Sequence, residues 1–367
     1  MNRRLFALVV LCFLLLPSCQ LGRFIWYNFS DITDYKIFPA RPLPVSVTPF
    51  TFHKNEQKQI APTSIEVNGK SQSFESFLTQ HETVAFMVIR NDSILYERYF
   101  SGYDSSSIVA SFSMAKSYTS ALIGCAIDDG LILNVNEPIT KYIPEMTKNG
   151  FDKVTIKHLL QMTSGIKFNE SYYNPFGDAA SFYYGRKLDK RCMKLKLAAQ
   201  PGTRFEYTSG STQLLGLVLA RALKTESITQ YFERKLWKPM NMEFSGSWSL
   251  DKKDGREKTF CCINARTRDF AKFGRLFLNK GNWNGTQLVS SSWVEESTKA
   301  DRSDGGEAFY KYQWWLEDNT NQYCAQGHLG QYIFVDKAKK IIVIRLGSGY
   351  GKIDWTYIAS SLANRLP

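Results

Sequence analysis

The fold of this chain is decided by residues 111–124, which read SFSMAKSYTSALIG. They place Ser113 and Lys116, as Ser-x-x-Lys, at the start of a segment that predicts a helix. Residues three apart on a helix share a face, so Ser113 Oγ and Lys116 Nζ can meet. A serine hydroxyl needs an adjacent base, and a partly buried lysine with a lowered pKa can help to take its proton. A helix N-terminus at Ser113 would also favour developing negative charge.

Two later segments give this short pattern its meaning, because Ser-x-x-Lys alone also fits a capping serine followed by an exposed lysine. Residues 205–216 read FEYTSGSTQLLG and place Tyr207 in a turn before a predicted helix. Residues 327–336 read GHLGQYIFVD, a glycine-flanked strand that carries His328. Together the three segments resemble the motifs of the penicillin-recognising serine hydrolases. That group includes class C β-lactamases, DD-peptidases, β-lactamase-like esterases and 6-aminohexanoate-dimer hydrolases.

Three further segments carry the same resemblance in the same order along the chain. They are residues 158–165 (HLLQMTSG), 200–205 (QPGTRF) and 265–274 (ARTRDFAKFG). The resemblance spans about residues 75 to 365, and the chain is identified as a member of this group. It implies a metal-independent serine hydrolase that needs no cofactor and passes through an acyl-enzyme.

The resemblance also implies a role for each catalytic residue. Ser113 is the expected nucleophile, and Lys116 keeps Ser113 and Tyr207 ready for proton transfer. Tyr207 is the expected general base, which later returns the proton to the leaving group. This role requires a depressed tyrosine pKa, which a neighbouring ammonium would supply.

Substrate-binding positions follow from the same motifs. Ser209 stands where many relatives carry Asn, a change that argues against an efficient β-lactamase. His328 stands where β-lactamases carry Lys, and neutral histidine suits a substrate carboxylate less well. Gly330 would let the substrate lie close to the strand. The expected oxyanion hole is formed by the backbone N–H groups of Ser113 and Gln331.

Aromatic residues raise two further expectations. Tyr172 and Tyr173 precede the turn-rich residues 174–177 (NPFG), in a region that borders the pocket in the family. A substrate-covering loop and ordinary surface aromatics are both compatible with this pattern. Trp314 and Trp315 are compatible with lining the cleft or with packing a strand, and we favour packing.

The pattern of apolar runs predicts a mainly antiparallel α/β (α+β) sheet built from both chain ends and flanked by helices. Residues 83–89 and 93–100 predict a hairpin, residues 310–316, 330–335 and 340–346 predict strands, and a last helix begins near residue 354. The resemblance implies a β-lactamase/transpeptidase-like fold with an all-α insertion. We assign residues 71–367 to this catalytic domain, with a helical region at about residues 125–300.

The N-terminus predicts export. Residues 1–18 combine a basic start with an apolar stretch too short for a comfortable membrane span, as in a signal peptide. Leu16-Pro17-Ser18-Cys19 resembles a bacterial lipobox, with Cys19 as the lipidated residue. Ordinary cleavage and an uncleaved anchor are alternatives. Residues 19–70, rich in Pro, Thr, Lys and Gln, predict a tether, so we expect a membrane-anchored lipoprotein of the bacterial envelope, periplasmic or surface-exposed.

Composition excludes several other functions. The chain has 46 Lys+Arg against 34 Asp+Glu, a net charge of +12, without a nucleic-acid-binding motif, so we expect no nucleic-acid partner. The basic run at residues 187–196 is interpreted as a solvated face that could also adsorb to an anionic surface.

No Cys/His spacing predicts a metal site. The five cysteines beyond the leader do not form a disulfide framework, and their pairing stays open (Cys125, Cys192, Cys261, Cys262, Cys324).

These observations favour a hydrolase of small esters or amides, similar to carboxylesterases and amidases. A D-amino-acid peptidase and a weak β-lactamase remain alternatives within the same class. An envelope peptide-binding module without catalysis is the non-enzymatic alternative. The oligomeric state and the leaving group are not indicated by any motif.

Overall fold

Both ends of the chain contribute strands to the largest sheet. The computed structural model describes residues 22–23, 27, 29–54, 62–67, 69–172, 174–317 and 321–366. In chain order its strands are β1 Ala40–Leu43, β2 His53–Lys54, β3 Ser64–Val67, β4 Lys70–Ser73, β5 Thr83–Arg90, β6 Ser93–Tyr99, β7 Val109–Ala110, β8 Ile166–Lys167, β9 Lys196–Leu197, β10 Gly246–Ser249, β11 Ile263–Ala265, β12 Asn282–Trp283, β13 Thr286–Gln287, β14 Tyr310–Lys311, β15 Trp314–Leu316, β16 Gln322–Gly327, β17 Gln331–Asp336 and β18 Ile341–Gly347.

The main sheet has eight strands in the order β14-β15-β16-β17-β18-β5-β6-β2. Its pairs are antiparallel except β2 with β6, and the two chain ends meet where Val88 of β5 pairs with Val343 of β18. This confirms the predicted sheet. One predicted strand, residues 310–316, is in fact the hairpin β14–β15, because Tyr312 and Gln313 both adopt positive φ between the two strands.

Ten α-helices lie wholly within the described residues and surround the sheets, and one 3₁₀ turn, Phe112–Met114, leads into the second of them. They are α1 Phe74–Gln80, α2 Ala115–Asp128, α3 Ile156–Leu160, α4 Asp178–Tyr184, α5 Leu188–Cys192, α6 Ser209–Leu223, α7 Ile228–Phe232, α8 Thr267–Leu278, α9 Ser291–Ser297 and α10 Trp355–Arg365. Shorter 3₁₀ turns cover Asp34–Lys36, Ile139–Lys141, Pro144–Asn149, Phe151–Lys153 and Ser303–Gly305, and a π-helical turn covers Glu233–Trp237.

The main sheet is buried on both faces, which explains its nearly continuous apolar strands. Ile333 and Val335 of β17 join the core that contains α2 and α8, whereas Phe334 joins the core beneath α1 and α10. Because successive side chains of a strand point to opposite faces, each core receives alternate residues. The α2 helix, with Ser113 just before it, is thereby held on one face of the sheet.

A second sheet, in the order β1-β10-β11-β7, corrects two expectations. Residues 40–43, predicted to lie in a tether, form β1 and pair with β10 from Ala40↔Ser249 to Leu43↔Gly246. Ile32, Phe38 and Leu43 are buried, so the tether prediction is wrong for this part of the chain. The middle region is rich in helices as predicted, but it also supplies β8 to β13, and two of these strands complete this sheet.

The predicted leader lies outside the described residues, and so does the predicted lipidation residue Cys19. Among the residues that are described, no helix combines the length and the apolar character required to cross a bilayer.

Candidate active site

The backbone just before Ser113 is fixed by hydrogen bonds to strand β11. Ser111 N–H donates to Ile263 O at 2.8 Å, and Ile263 N–H donates to Ser111 Oγ at 3.0 Å. Phe112 adopts φ +44°, a conformation that costs free energy in a non-glycine residue and persists only where the surroundings impose it. This turn places Ser113 at the N-terminal end of α2, as the sequence predicts.

Lys116 lies beneath Ser113 and is almost fully buried. Its Nζ donates to Ser113 Oγ at 3.0 Å, to Ser209 Oγ at 3.1 Å and to the Phe260 carbonyl at 2.9 Å. Three acceptors match the three N–H donors of an ammonium group. Ser113 and Lys116 are therefore in contact, as predicted. Ser209 supplies a further acceptor for the ammonium group.

Burial lowers the pKa of Lys116 to about 8, because the charged form loses its hydration, while Glu170 partly offsets the effect. An ammonium with this pKa gives up its proton near neutral pH. The resulting amine lies 3.0 Å from Ser113 Oγ and can accept a proton from that hydroxyl, as a base that activates a serine nucleophile must.

Tyr207 lines the same cavity as Ser113, and the Ser113 side chain acts on its hydroxyl. Its ring lies 5.0 Å from Lys116 Nζ. The pKa of Tyr207 is raised, first by burial and then by the negative charge of Glu170. The expected depressed tyrosine pKa is therefore wrong. Tyr207 is thus a neutral phenol near neutral pH, and Lys116 has the lower pKa of the two.

Ser209 connects Lys116 to a carboxylate that the sequence analysis did not identify. Ser209 Oγ donates to Glu170 Oε1 at 2.5 Å, and Ser209 N–H donates to Glu170 Oε2 at 2.7 Å. Ser209 itself is fully buried. It was predicted to contact substrate, but its hydroxyl is engaged by Lys116 and Glu170 instead.

A cavity of about 250 Å³ opens above this cluster. Glu170 and Tyr172 approach it from the loop after β8, Tyr207 from the turn before α6, and Trp315 from β15. The described residues that line it are Ser113, Glu170, Tyr172, Tyr207, Trp315, Gln326, Gly327, His328 and Tyr350. None of these described lining residues is a lysine or an arginine. Lys116 lies below the lining.

His328 forms part of the aromatic wall of this cavity. Its ring stacks on Tyr172 with centroids 5.2 Å apart, and Nδ1 lies 3.1 Å from the Tyr350 hydroxyl. Burial lowers the pKa of His328 to about 4. The imidazole is therefore neutral at physiological pH and offers no positive charge to a substrate carboxylate, in agreement with the expectation for this position.

Gln331 and Gly330 lie behind the cavity rather than in its lining. The Gln331 side chain donates to the carbonyls of Gly347 and His328, at 2.7 and 3.1 Å, and it is fully buried. The carbonyl of Gly330 accepts from Arg345 at 2.5 Å, and a Cβ at Gly330 would lie 2.0 Å from the Arg345 guanidinium. Close packing against Arg345, not substrate, thus requires this glycine. The neighbouring strand residues that line the cavity are Gly327 and His328.

The two adjacent tryptophans have different environments. Trp314 is fully buried and packs against Phe277 with ring centroids 4.5 Å apart, as predicted. Trp315 points to the other face of β15 and lines the cavity beside Tyr207, with ring centroids 5.6 Å apart. The packing interpretation is therefore wrong for Trp315.

Cys261 and Cys262, which are adjacent in sequence, form a disulfide. It directly follows Phe260, whose carbonyl accepts a hydrogen bond from Lys116. Both cysteines are buried. The bond restrains the backbone between this carbonyl and β11. The other described cysteines are free and buried, as expected for Cys125 (Cys125, Cys192, Cys324).

Five of the described lining residues were not among the predicted site residues: Glu170, Trp315, Gln326, Gly327 and Tyr350. A signal for Glu170 was available, because it is the only acidic residue between Asp152 and Asp178 and lies in an otherwise polar and aromatic loop. Among the described residues, no group of acidic, histidine and cysteine side chains could hold a metal ion.

A serine, a buried lysine and a tyrosine that converge between a sheet and a helical region define a serine hydrolase. Residues 71–360 match the beta-lactamase family, and the chain belongs to it. The 6-aminohexanoate-dimer hydrolase of Paenarthrobacter ureafaciens is 26% identical over 298 residues, 75% of this chain and 74% of that protein. The predicted family is thereby confirmed.

Solved structures confirm the predicted fold. A candidate 6-aminohexanoate-dimer hydrolase from Bacillus anthracis superimposes with a TM-score of 0.78 at 23% identity, covering 91% of this chain and 92% of that chain. A family VIII carboxylesterase gives a TM-score of 0.60 at 17% identity, with coverages of 77% and 91%.

Proposed function

We propose that the protein cleaves small esters or amides through an acyl-enzyme on Ser113. Lys116 accepts the Ser113 proton while Oγ forms a bond to the substrate carbonyl carbon. The bond to the leaving group then breaks, and the leaving group takes up a proton from the Lys116–Tyr207 cluster. Water hydrolyses the ester formed on Ser113 and restores the serine.

We infer the class of substrate from the charge of the cavity lining. It contains one carboxylate, Glu170, a neutral His328 and no cation among the described residues. A substrate with a carboxylate beside the scissile bond, as in penicillins and acyl-D-alanine peptides, would meet no counter-charge there. Neutral or cationic esters and amides suit this cavity better. The relative named for hydrolysis of 6-aminohexanoate dimers makes linear amides a class to include in the tests.

Labelling of Ser113 tests this proposal. The purified domain is incubated with a fluorophosphonate and, separately, with a penicillin, and intact masses are recorded beside those of Ser113→Ala. We expect one fluorophosphonate adduct that Ser113→Ala lacks, and hydrolysis of p-nitrophenyl butyrate that Ser113→Ala also lacks. A stable penicillin adduct would favour a D-amino-acid peptidase. Penicillin turnover would favour a β-lactamase, and an unlabelled, inactive protein would favour a peptide-binding module.

We also propose that the protein is exported and anchored by a lipid on Cys19, on the basis of the leader and its lipobox-like end. The test is fractionation of cells that express the full chain, followed by mass spectrometry of the mature N-terminus. Membrane association that is lost in Cys19→Ser supports the proposal. An N-terminus cleaved elsewhere and without lipid contradicts it.

A further inference from the structure

The carboxylate of Glu170 lies in the active site but has no role in the reaction as described so far. Its two oxygens accept from one residue, Ser209, through both the hydroxyl and the backbone N–H. Because the Ser209 hydroxyl donates to Glu170, its oxygen lone pairs are left to accept from Lys116 at 3.1 Å. Glu170 therefore sets the direction of the Ser209 hydroxyl, and that direction suits a charged Lys116.

The loop that carries Glu170 is held on both sides. Asn169 N–H donates to Asp178 at 2.9 Å, and Ser171 N–H donates to the Asn169 side chain at 3.0 Å. Phe168 packs directly on Gly210, where a Cβ would lie 2.7 Å from the ring. The glycine that follows Ser209 thus permits the close approach that brings Glu170 to Ser209.

Glu170 is also the only charged group that acts appreciably on Lys116 among the described residues. The other titratable groups facing the pair are neutral tyrosines, the neutral His328, and Asp178, which acts on Glu170 from α4. Burial keeps the pKa of each of these tyrosines raised where a shift is resolved (Tyr172, Tyr207, Tyr310). Replacement of Glu170 by a neutral residue therefore leaves the Lys116 ammonium without a nearby negative charge.

We propose that Glu170 is a positioning residue. Acting through Ser209, it stabilises the ammonium form of Lys116 and holds Lys116 Nζ beside Ser113 Oγ. The inference rests on the proposed function, since it assigns the proton of Ser113 to Lys116. A negative charge nearby favours the ammonium form. Its removal lowers the pH at which Lys116 becomes neutral, and the rising limb of activity against pH must move to lower pH.

The test is the rate of fluorophosphonate labelling and the kcat/KM for p-nitrophenyl butyrate, both measured against pH in Glu170→Gln and Glu170→Asp. In Glu170→Gln we expect the midpoint of the rising limb to fall by about one pH unit, with a lower plateau. Glu170→Asp keeps the negative charge on a shorter side chain. We therefore expect a lower plateau rate and nearly the same midpoint of the rising limb. Glu206→Gln is the matched control, because Glu206 is partly exposed beside Tyr207 and pairs with Arg204, so its loss should change neither quantity.

A folded Glu170→Gln whose midpoint equals that of the unsubstituted protein overturns the inference. If Glu170→Gln does not fold, Ser209→Ala replaces it, because loss of this acceptor also destabilises the ammonium and must lower the midpoint. An unshifted midpoint in Ser209→Ala overturns the inference equally. Absence of any label on Ser113 in the unsubstituted protein refutes the proposed function instead, so the two failures are distinguishable.

Discussion

The floor of the cavity and its wall are built in different ways. The floor consists of Ser113, Lys116, Ser209 and Glu170, which are linked by hydrogen bonds of 2.5 to 3.1 Å. The wall consists mainly of the rings of Tyr172, Trp315, His328 and Tyr350. His328 stacks on Tyr172 and meets Tyr350 edge-on, whereas Trp315 packs against Tyr207. The floor fixes protons and charge, whereas the wall offers shape and apolar surface. Substitutions in the floor should therefore change kcat, and substitutions in the wall should change KM.

The largest effect is expected at the centre of the floor. Lys116→Met removes the proton acceptor of Ser113 while it keeps an unbranched side chain of similar length. We expect kcat/KM for p-nitrophenyl butyrate to fall by about 10³-fold or more. Lys235→Met is the control, because Lys235 pairs with Asp129 just past the other end of α2 and should leave kcat/KM unchanged. Activity of Lys116→Met within tenfold of the unsubstituted protein would contradict the assignment.

A smaller loss is expected at Tyr207, which belongs to both regions. Tyr207→Phe removes the hydroxyl beside Ser113 but preserves the ring that contacts Trp315. We expect kcat to fall by about 10²-fold with KM nearly unchanged. Tyr323→Phe, at a buried position on β16 outside the cavity lining, should leave both constants in place. If Tyr207→Phe raised KM alone, Tyr207 would belong to the wall and act in substrate binding rather than in proton transfer.

The pH dependence separates the two regions further. Lys116, with a pKa of about 8, must be neutral to accept a proton. Below that pH the neutral fraction falls tenfold per pH unit, so kcat/KM should rise with pH and level off above about 8. His328, with a pKa of about 4, should add no inflection between about pH 5 and 7. An inflection in that range that His328→Gln removes would show that the wall takes part in proton transfer.

The mildest change in activity is expected in the wall. Trp315→Ala removes an aromatic surface from the cavity, and we expect KM for p-nitrophenyl butyrate to rise about tenfold at nearly constant kcat. Trp314→Ala provides the contrast, because Trp314 is buried on the opposite face of β15. It should cost about 3 to 5 kcal/mol of unfolding free energy in denaturant titrations and leave KM unchanged. The reverse pattern would exchange the roles assigned to the two tryptophans.

The floor could be predicted from the sequence to the extent that local spacing determines it. Ser113 and Lys116 meet because residues three apart share a helix face, and Tyr207 follows from a turn before a helix. Glu170 could not be placed, because its contact with Ser209 depends on how a loop packs on α6. The tyrosine pKa was predicted in the wrong direction, because the effects of burial and of Glu170 are visible only in three dimensions.

The wall and the N-terminal segment show where local patterns fail. A tight turn between β16 and β17 places His328 in the lining and Gln331 behind it, and no motif specifies that register. Trp314 and Trp315 look equivalent in sequence, yet alternation along a strand sends them to opposite faces. Residues 40–43 read as a spacer because their partners in β10 lie more than 200 residues away.

The account depends on Ser113 carrying the acyl group of a substrate, and trapping that intermediate tests it most directly. The protein is mixed with p-nitrophenyl butyrate and quenched in acid within milliseconds, and the digested peptides are analysed by mass spectrometry. We predict a single butyryl group on the peptide that contains Ser113, present in the unsubstituted protein and absent from Ser113→Ala. Hydrolysis that persists in Ser113→Ala, or a butyryl group on another residue during turnover, would contradict the account.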